Sequence, residues 1–393
     1  MSTIAIRSIF PARMAPLEQR MKMLAASSAV ILMAGLLLQP ERAWPALLLG
    51  SFALVCLGLG GLFFVALQYA SGAVWSIALR RVGEAMTAAL PAGLIGILFV
   101  LVAHPSIYPW YGHTLPSEGW AGFKLVWLSY PFFLARSVFY GAVWLGFSRA
   151  IRSNSRRQDE EGGWELSRKN TRLSVVFMIA FGFTFWLATT DWVMALEPQW
   201  SSTIFGIYHF SGMFTAGLAV VSLLVISLRK SGPLRGSVTD EHLLDMGRMI
   251  VAFATFWGYI WFSQFMLIWY TNFNEETGYM VLRTNSGWGK LFVLNLILNW
   301  ALPFLLLLPR ASKMNPGTLA AAAWVVLAGR ATDLYLMIIA PFSPASSLPA
   351  ICDFASLGLV AGLFILLTLR AFFGAEPIPV GDPLLPDSVH GHA

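Results

Sequence analysis

Three charged residues lie inside long apolar stretches of this chain, where a charge is costly. Arg136 lies in the middle of one stretch, and Arg330 and Asp333 lie in another. A charged side chain at the centre of a bilayer costs about 2.5–3.5 kcal/mol on insertion scales, so each is a candidate for function. Arg330 and Asp333 are three residues apart, which places them on one face of a helix. They predict either a structural ion pair or one step of a proton relay.

Further titratable residues lie near the ends of the apolar stretches. Asp191 closes one stretch, His209 opens the next, and Glu197 lies in the turn between them. Asp353 enters the last stretch. Together with the charges above they give the candidate proton path, which consists of Asp191, Glu197, His209, Arg136, Arg330, Asp333 and Asp353. The same residues also fit three unrelated clusters, because hydropathy does not show which side chains face each other across helices.

Two segments combine Trp and Tyr with carboxylates: TTDWVMALEPQWSSTIFGIYHFSG at 189–212 and WFSQFMLIWYTNFNEET at 261–277. Such aromatic residues usually anchor helices at the level of the lipid headgroups, so an aromatic belt is the simplest interpretation. A quinone headgroup also needs an apolar slot, an aromatic wall and a protonatable hydrogen-bond partner. The candidate residues for a quinone pocket are Trp192, Glu197, His209 and Trp269.

The whole chain has the composition of a membrane protein. Hydrophobic residues make up 57% of the 393 residues, 12% are charged, and the mean hydropathy is +0.67. A helix needs about 20 apolar residues to cross the hydrocarbon core. Since runs such as LPAGLIGILFVLV lack the alternation of a barrel strand, we expect an all-α fold. The sequence predicts ten transmembrane helices, at 23–38, 45–70, 84–103, 125–149, 173–195, 203–228, 244–270, 291–309, 317–340 and 348–373.

The distribution of Lys and Arg predicts the topology. Most of the 26 Lys and Arg lie in the N-terminal segment 1–22, in the 149–172 connection and in other connections on the same side. The positive-inside rule then places both termini in the cytoplasm, and a bacterial inner membrane is the simplest location. Residues 374–393 would be a cytoplasmic tail that is mobile or ordered only against a partner. Because topology explains the net charge of +6, nucleic acid is not an expected partner.

Residues 23–373 are predicted to form one transmembrane domain that contains two four-helix bundles. Short connections between spans favour antiparallel neighbours. The expected bundles cover about 45–149 and either 173–340 or 203–340, with 149–172 as a solvated cytoplasmic linker. The first and last spans would be peripheral. The sequence also predicts helix kinks at Pro91, Pro131 and Pro303.

The cysteines and histidines predict no metal redox centre in this chain. Cys56 and Cys352 lie in separate spans and lack the spacing of a zinc site. A membrane haem with two axial His ligands needs a pair that faces it across helices, and only His209 of the six His lies inside a span. We therefore expect no covalent or metal-ligated cofactor and no catalytic residue in this chain.

The two aromatic segments, the ten predicted spans and the length of 393 residues together resemble the smaller of the two NrfD-like membrane subunits of bacterial alternative complex III. The resemblance covers about residues 20–375. It implies a subunit of a quinol:cytochrome c, or equivalent acceptor, oxidoreductase in an electron transport chain. It also implies that haem c and iron–sulfur centres reside on partner subunits, beside a larger NrfD-like subunit and lipids. This chain would be a scaffold and a proton-conducting subunit, and the resemblance leaves open whether it binds quinone or quinol itself.

Two other interpretations stay open. The quinol-interacting membrane anchor of a polysulfide- or nitrite-reductase-type complex shares the NrfD-like fold. An independent ion or solute transporter also needs charged residues at mid-membrane depth. Transporters often carry matched interrupted helices in their two halves, and this sequence shows no such pair.

Overall fold

The computed structural model describes residues 3–112, 121–285 and 287–390. Within these ranges the chain folds into helices and connecting turns, and no strand is formed. The all-α membrane fold predicted from the sequence is confirmed. In chain order the helices are α1 (Thr3–Leu38), α2 (Pro40–Ser71), α3 (Arg80–Met86), α4 (Leu90–Ala103), α5 (Ala121–Trp127), α6 (Tyr130–Glu161), α7 (Glu165–Trp192), α8 (Phe205–Ser231), α9 (Asp240–Thr271), α10 (Asn274–Thr284), α11 (Trp288–Leu296), α12 (Leu302–Leu306), α13 (Arg310–Met314), α14 (Pro316–Ile338), α15 (Ile351–Phe373) and α16 (Leu385–His390).

Nine helical segments among the described residues are long and apolar enough to cross a membrane. They are Ala15–Leu38, Pro40–Ser71, Val74–Ala103, Glu165–Leu196, Phe205–Ser231, Asp240–Thr271, Trp288–Leu306, Pro316–Ile338 and Ile351–Phe373. The predicted span at 125–149 is not among them. The chain breaks there between α5 and α6, and α6 carries Arg136 within its apolar part, which lowers its hydropathy.

Helix α6 nevertheless runs antiparallel to α7 along most of its length. Arg136 pairs with Asp191 near one end of the two helices, and Asn154 donates to Asn170 near the other. At 1.5 Å per residue, the 32 residues of α6 extend about 48 Å, which exceeds the thickness of a hydrocarbon core. A tenth span formed by α6 stays a prediction.

Helix α2 lies at the centre of the molecule and is almost entirely buried. It packs against α4 and α7, which together with α6 form one group of helices. It also packs against α8, which belongs to a second group with α9, α11, α12 and α14. Helices α1 and α15 pack on each other and on α2. The contact between α2 and α8 depends on Gly60 and Gly217, because a Cβ on Gly60 would lie 2.8 Å from the Gly217 Cα.

The three prolines predicted to kink helices all lie in the first turn of a helix. Pro131 is the second residue of α6. A backbone N–H at this position has no partner within the helix, so proline loses no hydrogen bond there. Pro91 follows a short 3₁₀ turn at Thr87–Ala89. Pro303 follows a π-helical turn at Ile297–Ala301. The last two therefore mark local changes of helix type, while Pro131 starts a helix and kinks none.

Residues 149–172, predicted to be a solvated cytoplasmic linker, are mostly helical, and their solvation and cytoplasmic position stay predictions. Helix α6 continues to Glu161, and α7 begins at Glu165. The turn between them contains Gly162 and Gly163 with φ of 68° and 80°, a conformation that favours glycine. The Arg, Glu, Gln and Lys residues of this segment are good helix formers, and they extend both helices past their apolar parts.

Residues 374–390 of the C-terminal tail pack against their own chain, which corrects the expectation that the tail is mobile or ordered only against a partner. Asp382 forms an ion pair of 2.6 Å with Arg80 at the start of α3. The Ser388 hydroxyl donates to the Trp75 carbonyl at 3.0 Å. The tail folds back because its polar side chains satisfy polar groups that are buried beneath it.

The two ends of the helix bundle contain different elements. The α10 end contains α10 and the turn at 193–204, and the tail end contains α16 and residues 374–390. The charge distribution predicts that the tail end faces the cytoplasm, and this orientation stays a prediction.

Candidate functional site

A buried charged group, the central cluster, lies where α8, α11 and α14 meet. Its centre is Asp333, whose side chain is fully buried. Arg330 and the Tyr208 hydroxyl both donate to this carboxylate. Asn295 donates from its amide nitrogen at 3.0 Å. With His209, these residues form the central cluster, which joins three helices through one carboxylate.

His209 contacts the other side of the Arg330 guanidinium. Arg330 Nη2 lies 3.1 Å from His209 Nδ1. A guanidinium can only donate, so Nδ1 accepts and the neutral imidazole carries its proton on Nε2. Nε2 is buried without a hydrogen-bond partner among the described residues. The rings of Phe205 and Phe52 pack edge-to-face with the imidazole, at centroid distances of 4.5 and 5.5 Å.

Two glycines make room for the central cluster. A Cβ on Gly212 would lie 2.6 Å from Arg330 Nη1. A Cβ on Gly329 would lie 2.8 Å from the amide of Asn299. Asn299 in turn donates to the Asn295 side-chain oxygen at 2.7 Å, which orients the Asn295 amide towards the carboxylate. These close approaches fix the positions of the polar groups around Asp333.

A small cavity lies between the central cluster and the α10 end. Its volume is about 30 Å³, which is enough for one water molecule. Tyr208, Asn295 and Asp333 line it on one side, and Tyr279 and Arg283 line it on the other. A water molecule here would have hydrogen-bond partners on both sides.

Arg283 on α10 separates this cavity from the α10 end. Its guanidinium donates to the carbonyl oxygens of Leu336 at 3.1 Å and Tyr279 at 3.0 Å, and it pairs with Glu197. It lies 3.5 Å from the centroid of the Tyr279 ring. Burial raises the pKa of the Tyr279 phenol, which therefore stays neutral. The Glu197 side chain is 21% exposed, so this ion pair connects the cavity with the surface.

Arg136 and Asp191 form a separate ion pair between α6 and α7. Arg136 donates from Nε and Nη2 to the two carboxylate oxygens at 3.0 and 2.9 Å. The Tyr140 hydroxyl and the Trp127 indole donate to the same carboxylate at 2.9 and 3.2 Å. The guanidinium stacks 3.9 Å from the Trp127 ring centroid. Because every group has its partner, the arrangement is that of a structural ion pair.

Phe52 of α2 separates these two sites. Its ring packs edge-to-face with Trp192 at a centroid distance of 6.3 Å and with His209 at 5.5 Å. Trp192 is fully buried and donates to the Ser137 hydroxyl at 2.9 Å. An apolar ring offers no group that could pass a proton, so these contacts through Phe52 give no proton connection between the two sites.

Asp353 takes part in a third ion pair, at the α10 end. It pairs with Arg42 of α2 at 2.7 Å, and Arg42 also donates to the Tyr335 hydroxyl at 2.7 Å. The Ala350 N–H donates to the Asp353 carboxylate at 2.7 Å, which caps the first turn of α15. These contacts fasten α15 to α2 and α14.

The structure thus brings together four of the seven candidates for a proton path. Arg330, Asp333 and His209 share the central cluster, and Glu197 reaches it through Arg283 and the cavity. Arg136, Asp191 and Asp353 lie in the two other ion pairs. Sequence reasoning missed Tyr208 and Arg283. The position of Tyr208 next to His209 was the available signal; Arg283 lies in a connection, where hydropathy gives none.

The four residues proposed for a quinone pocket lie in different surroundings. Trp192 and His209 are both fully buried, on opposite sides of Phe52. Trp269 is 70% exposed on the surface of α9. Glu197 is held by Arg283. None of these four side chains lines the cavity beside Asp333 or the two spaces around Trp186.

No group of three or more His, Cys, Asp or Glu within the described ranges is arranged to hold a metal ion. Comparison of the chain with protein-family models finds no match, and a search of curated proteins finds none either. We therefore infer the function of the chain from the geometry of the central cluster.

Proposed function

We propose that this chain is an integral membrane subunit of a quinol:acceptor oxidoreductase of the alternative complex III type, and that Asp333 exchanges protons with the α10 end. One observation supports this most directly. Asp333 is a fully buried carboxylate that pairs with Arg330 and lines a water-sized cavity, which Arg283, the partner of the partly exposed Glu197, also lines. Intramembrane carboxylates in such positions are typical of proton-translocating proteins.

The charge balance of the central cluster would link proton movement to electron transfer. Asp333 and Arg330 neutralise each other, and the imidazole of His209 is neutral. A proton that reaches Asp333 leaves the Arg330 cation without a counter-ion in a buried site, which is costly. Uptake becomes favourable when negative charge arrives nearby. An electron on a redox centre of a partner subunit is such a charge.

Arg283 would control access to the cluster. A guanidinium stays protonated, so it cannot pass a proton itself, and its positive charge repels one. Its ion pair with Glu197 offers an alternative position nearer the surface. Displacement of Arg283 from its present position between the cavity and Glu197 would join the cavity to the α10 end.

The proposed path leads towards one end only, and Arg283 closes it there. On the tail side of the central cluster, α2 and α8 pack backbone to backbone at Gly60 and Gly217. Since the charge distribution predicts that the tail end faces the cytoplasm, proton exchange at the α10 end would take place on the outer side of the membrane.

Purification from native membranes tests the assignment to a redox complex. The full-length chain, tagged at one terminus and extracted in mild detergent, is expected to copurify with haem c absorbance and iron–sulfur electron paramagnetic resonance signals in a fixed ratio. Purification from native membranes without any haem c or iron–sulfur partner contradicts the proposal and favours an independent transporter.

A further inference from the structure

Three arginines, Arg149, Arg152 and Arg156, lie on one face of α6 at the tail end. Their spacings of three and four residues place the side chains on adjacent turns of the helix. Among the described residues Arg149 has no hydrogen-bond or ion-pair partner. Arg152 donates only to the Thr87 hydroxyl at 3.3 Å, and Arg156 only to the Ala371 carbonyl at 3.4 Å. Most of the N–H donors of these guanidinium groups therefore face no protein acceptor.

The carboxylates near this face are held by another cation. Arg81 of α3 pairs with both Glu84 and Asp159. Desolvation and the positive charge of Arg156 lower the pKa of Arg152. The face thus combines closely spaced positive charges with guanidinium donors that no described carboxylate occupies. Phosphate groups are the anions that such donors bind best.

A hollow at the very end of α6 limits where an anion could bind. The hollow has a volume of about 520 Å³ and lies between α6 and the tail. Besides Arg156, three carboxylates line it: those of Asp159, Glu160 and Glu376. They would repel an anion from the hollow. An anion would therefore lie beside Arg149 and Arg152, next to the apolar part of α6.

The apolar part of α6 beside Arg149 forms a shallow trough. Between the exposed Phe139 and Arg149, the exposed residues of α6 are the small Ala142 and Gly146. A Cβ on Gly146 would meet nothing within 4 Å. At 1.5 Å per residue, the helix extends about 15 Å from Phe139 to Arg149. This length is half the thickness of a hydrocarbon core of about 30 Å, so the trough matches an acyl chain in one leaflet.

We propose that this surface binds an anionic glycerophospholipid. Its phosphate would accept from Arg149 and Arg152, and one acyl chain would lie along Ala142 and Gly146. A lipid fits better than a free phosphate ion, because the arginines begin where the apolar surface ends. Basic residues at the cytoplasmic end of a transmembrane helix are a typical site for anionic headgroups. The inference rests on α6 as a transmembrane helix and is independent of the proton path.

Photo-crosslinking in vesicles tests the site. The full-length chain is reconstituted into phosphatidylcholine vesicles that contain phosphatidylglycerol with a diazirine in one acyl chain, and labelled peptides are identified by mass spectrometry. Phosphatidylcholine with the same diazirine chain is the neutral probe. Within 139–149, labelling by the phosphatidylglycerol probe is expected to exceed labelling by the neutral probe by about tenfold.

The decisive variant is Arg149→Gln with Arg152→Gln, because it removes the proposed phosphate ligands from an exposed face. It should reduce labelling by the phosphatidylglycerol probe to the level of the neutral probe. Arg168→Gln with Arg172→Gln is the matched control. It removes the same charge from two exposed arginines at the same end of the neighbouring α7. The control should keep the wild-type preference, since general attraction to the vesicle surface changes equally in both variants.

Equal labelling by the two probes in the wild-type chain overturns the proposal. So does a preference that persists in Arg149→Gln with Arg152→Gln. Glycerol 3-phosphate added to the vesicles separates the two sources of a phosphate group, and it should leave labelling unchanged. Displacement of the lipid probe by glycerol 3-phosphate would identify a site for a soluble phosphate and overturn the assignment to a lipid.

Discussion

Nη2 of Arg330 lies 3.1 Å from His209 Nδ1, and Nη1 of the same guanidinium donates to the Asp333 carboxylate. One cation is therefore shared between a carboxylate and an imidazole. His209 can take a proton at Nδ1 only if Arg330 moves away. Asp333 can take a proton only if another negative charge compensates the Arg330 cation. The protonation of each group thus depends on the position of the same side chain, which is the property a proton-coupled site needs.

The Arg136–Asp191 pair is expected to serve stability alone. Asp191→Asn would leave the buried Arg136 cation unpaired and should destabilise the protein by about 3–5 kcal/mol. Thermal unfolding of the detergent-solubilised chain measures this loss. The double variant Arg136→Gln with Asp191→Asn removes both charges and should recover part of it. Equal stability of Asp191→Asn and wild type would show that the pair does not hold α6 to α7.

Gly212→Ala should disturb the central cluster through sterics. The added methyl group would lie 2.6 Å from Arg330 Nη1, so the guanidinium must shift away from Asp333 or His209. Overpacking of this kind costs about 1–3 kcal/mol, visible in the unfolding temperature. Gly146→Ala is the control, because its methyl group meets nothing within 4 Å and alanine favours a helix. If both variants unfold like the wild type, Arg330 is less tightly held than the structure indicates.

His104 predicts a pH dependence of stability at the α10 end. It follows the last residue of α4 and stacks on Trp44 at a centroid distance of 5.0 Å. Desolvation lowers its pKa below the ordinary value of 6.5. The unfolded chain therefore binds a proton at a higher pH than the folded chain, and stability is lost as the pH falls through 6.5 towards the lower folded pKa.

The check for His104 is thermal unfolding of wild type and His104→Gln between about pH 8 and about pH 5. Glutamine keeps a polar side chain but does not titrate. The variant should lose less stability than the wild type as the pH falls. Identical pH profiles would rule out His104 as a source of the dependence.

Asp382→Asn should loosen the C-terminal tail. The ion pair with Arg80 is buried, so loss of the carboxylate charge leaves a buried cation and should cost about 3 kcal/mol. Hydrogen exchange measured by mass spectrometry is expected to accelerate in 74–84 and 385–390. Asp387→Asn changes an exposed carboxylate on the same tail and should leave exchange unchanged. Unchanged exchange in Asp382→Asn would mean that other contacts hold the tail.

The fold class could be predicted because hydropathy reports which segments are long and apolar enough to cross a bilayer. The Arg330–Asp333 pair could be predicted because both residues belong to one helix, where a spacing of three fixes their relation. Contacts between side chains on different helices could not be predicted in this way. Lipid-facing and core-facing apolar surfaces have similar composition, so the sequence does not show which way a helix is rotated. Asp353 was accordingly grouped with Asp333, although it pairs with Arg42.

The quinone-pocket prediction shows the same limit. Trp192 and His209 lie at similar depth, and a sequence pattern cannot reveal that the Phe52 ring lies between them. The composition of the tail predicts a segment that is mobile or ordered only against a partner. Its contact with Arg80 could not be foreseen, because Asp382 and Arg80 are 302 positions apart in sequence.

The proton-to-electron ratio of the reconstituted complex tests the central claim most directly. The double variant Arg330→Gln with Asp333→Asn removes both charges of the central cluster, so no unpaired ion is left to unfold the protein. Quinol oxidation should continue, since the redox centres are expected on partner subunits. We predict that the variant translocates fewer protons per electron than the wild type, while the Arg136→Gln with Asp191→Asn variant keeps the wild-type ratio. A wild-type ratio in the Arg330→Gln with Asp333→Asn variant would contradict a role of Asp333 in proton transfer.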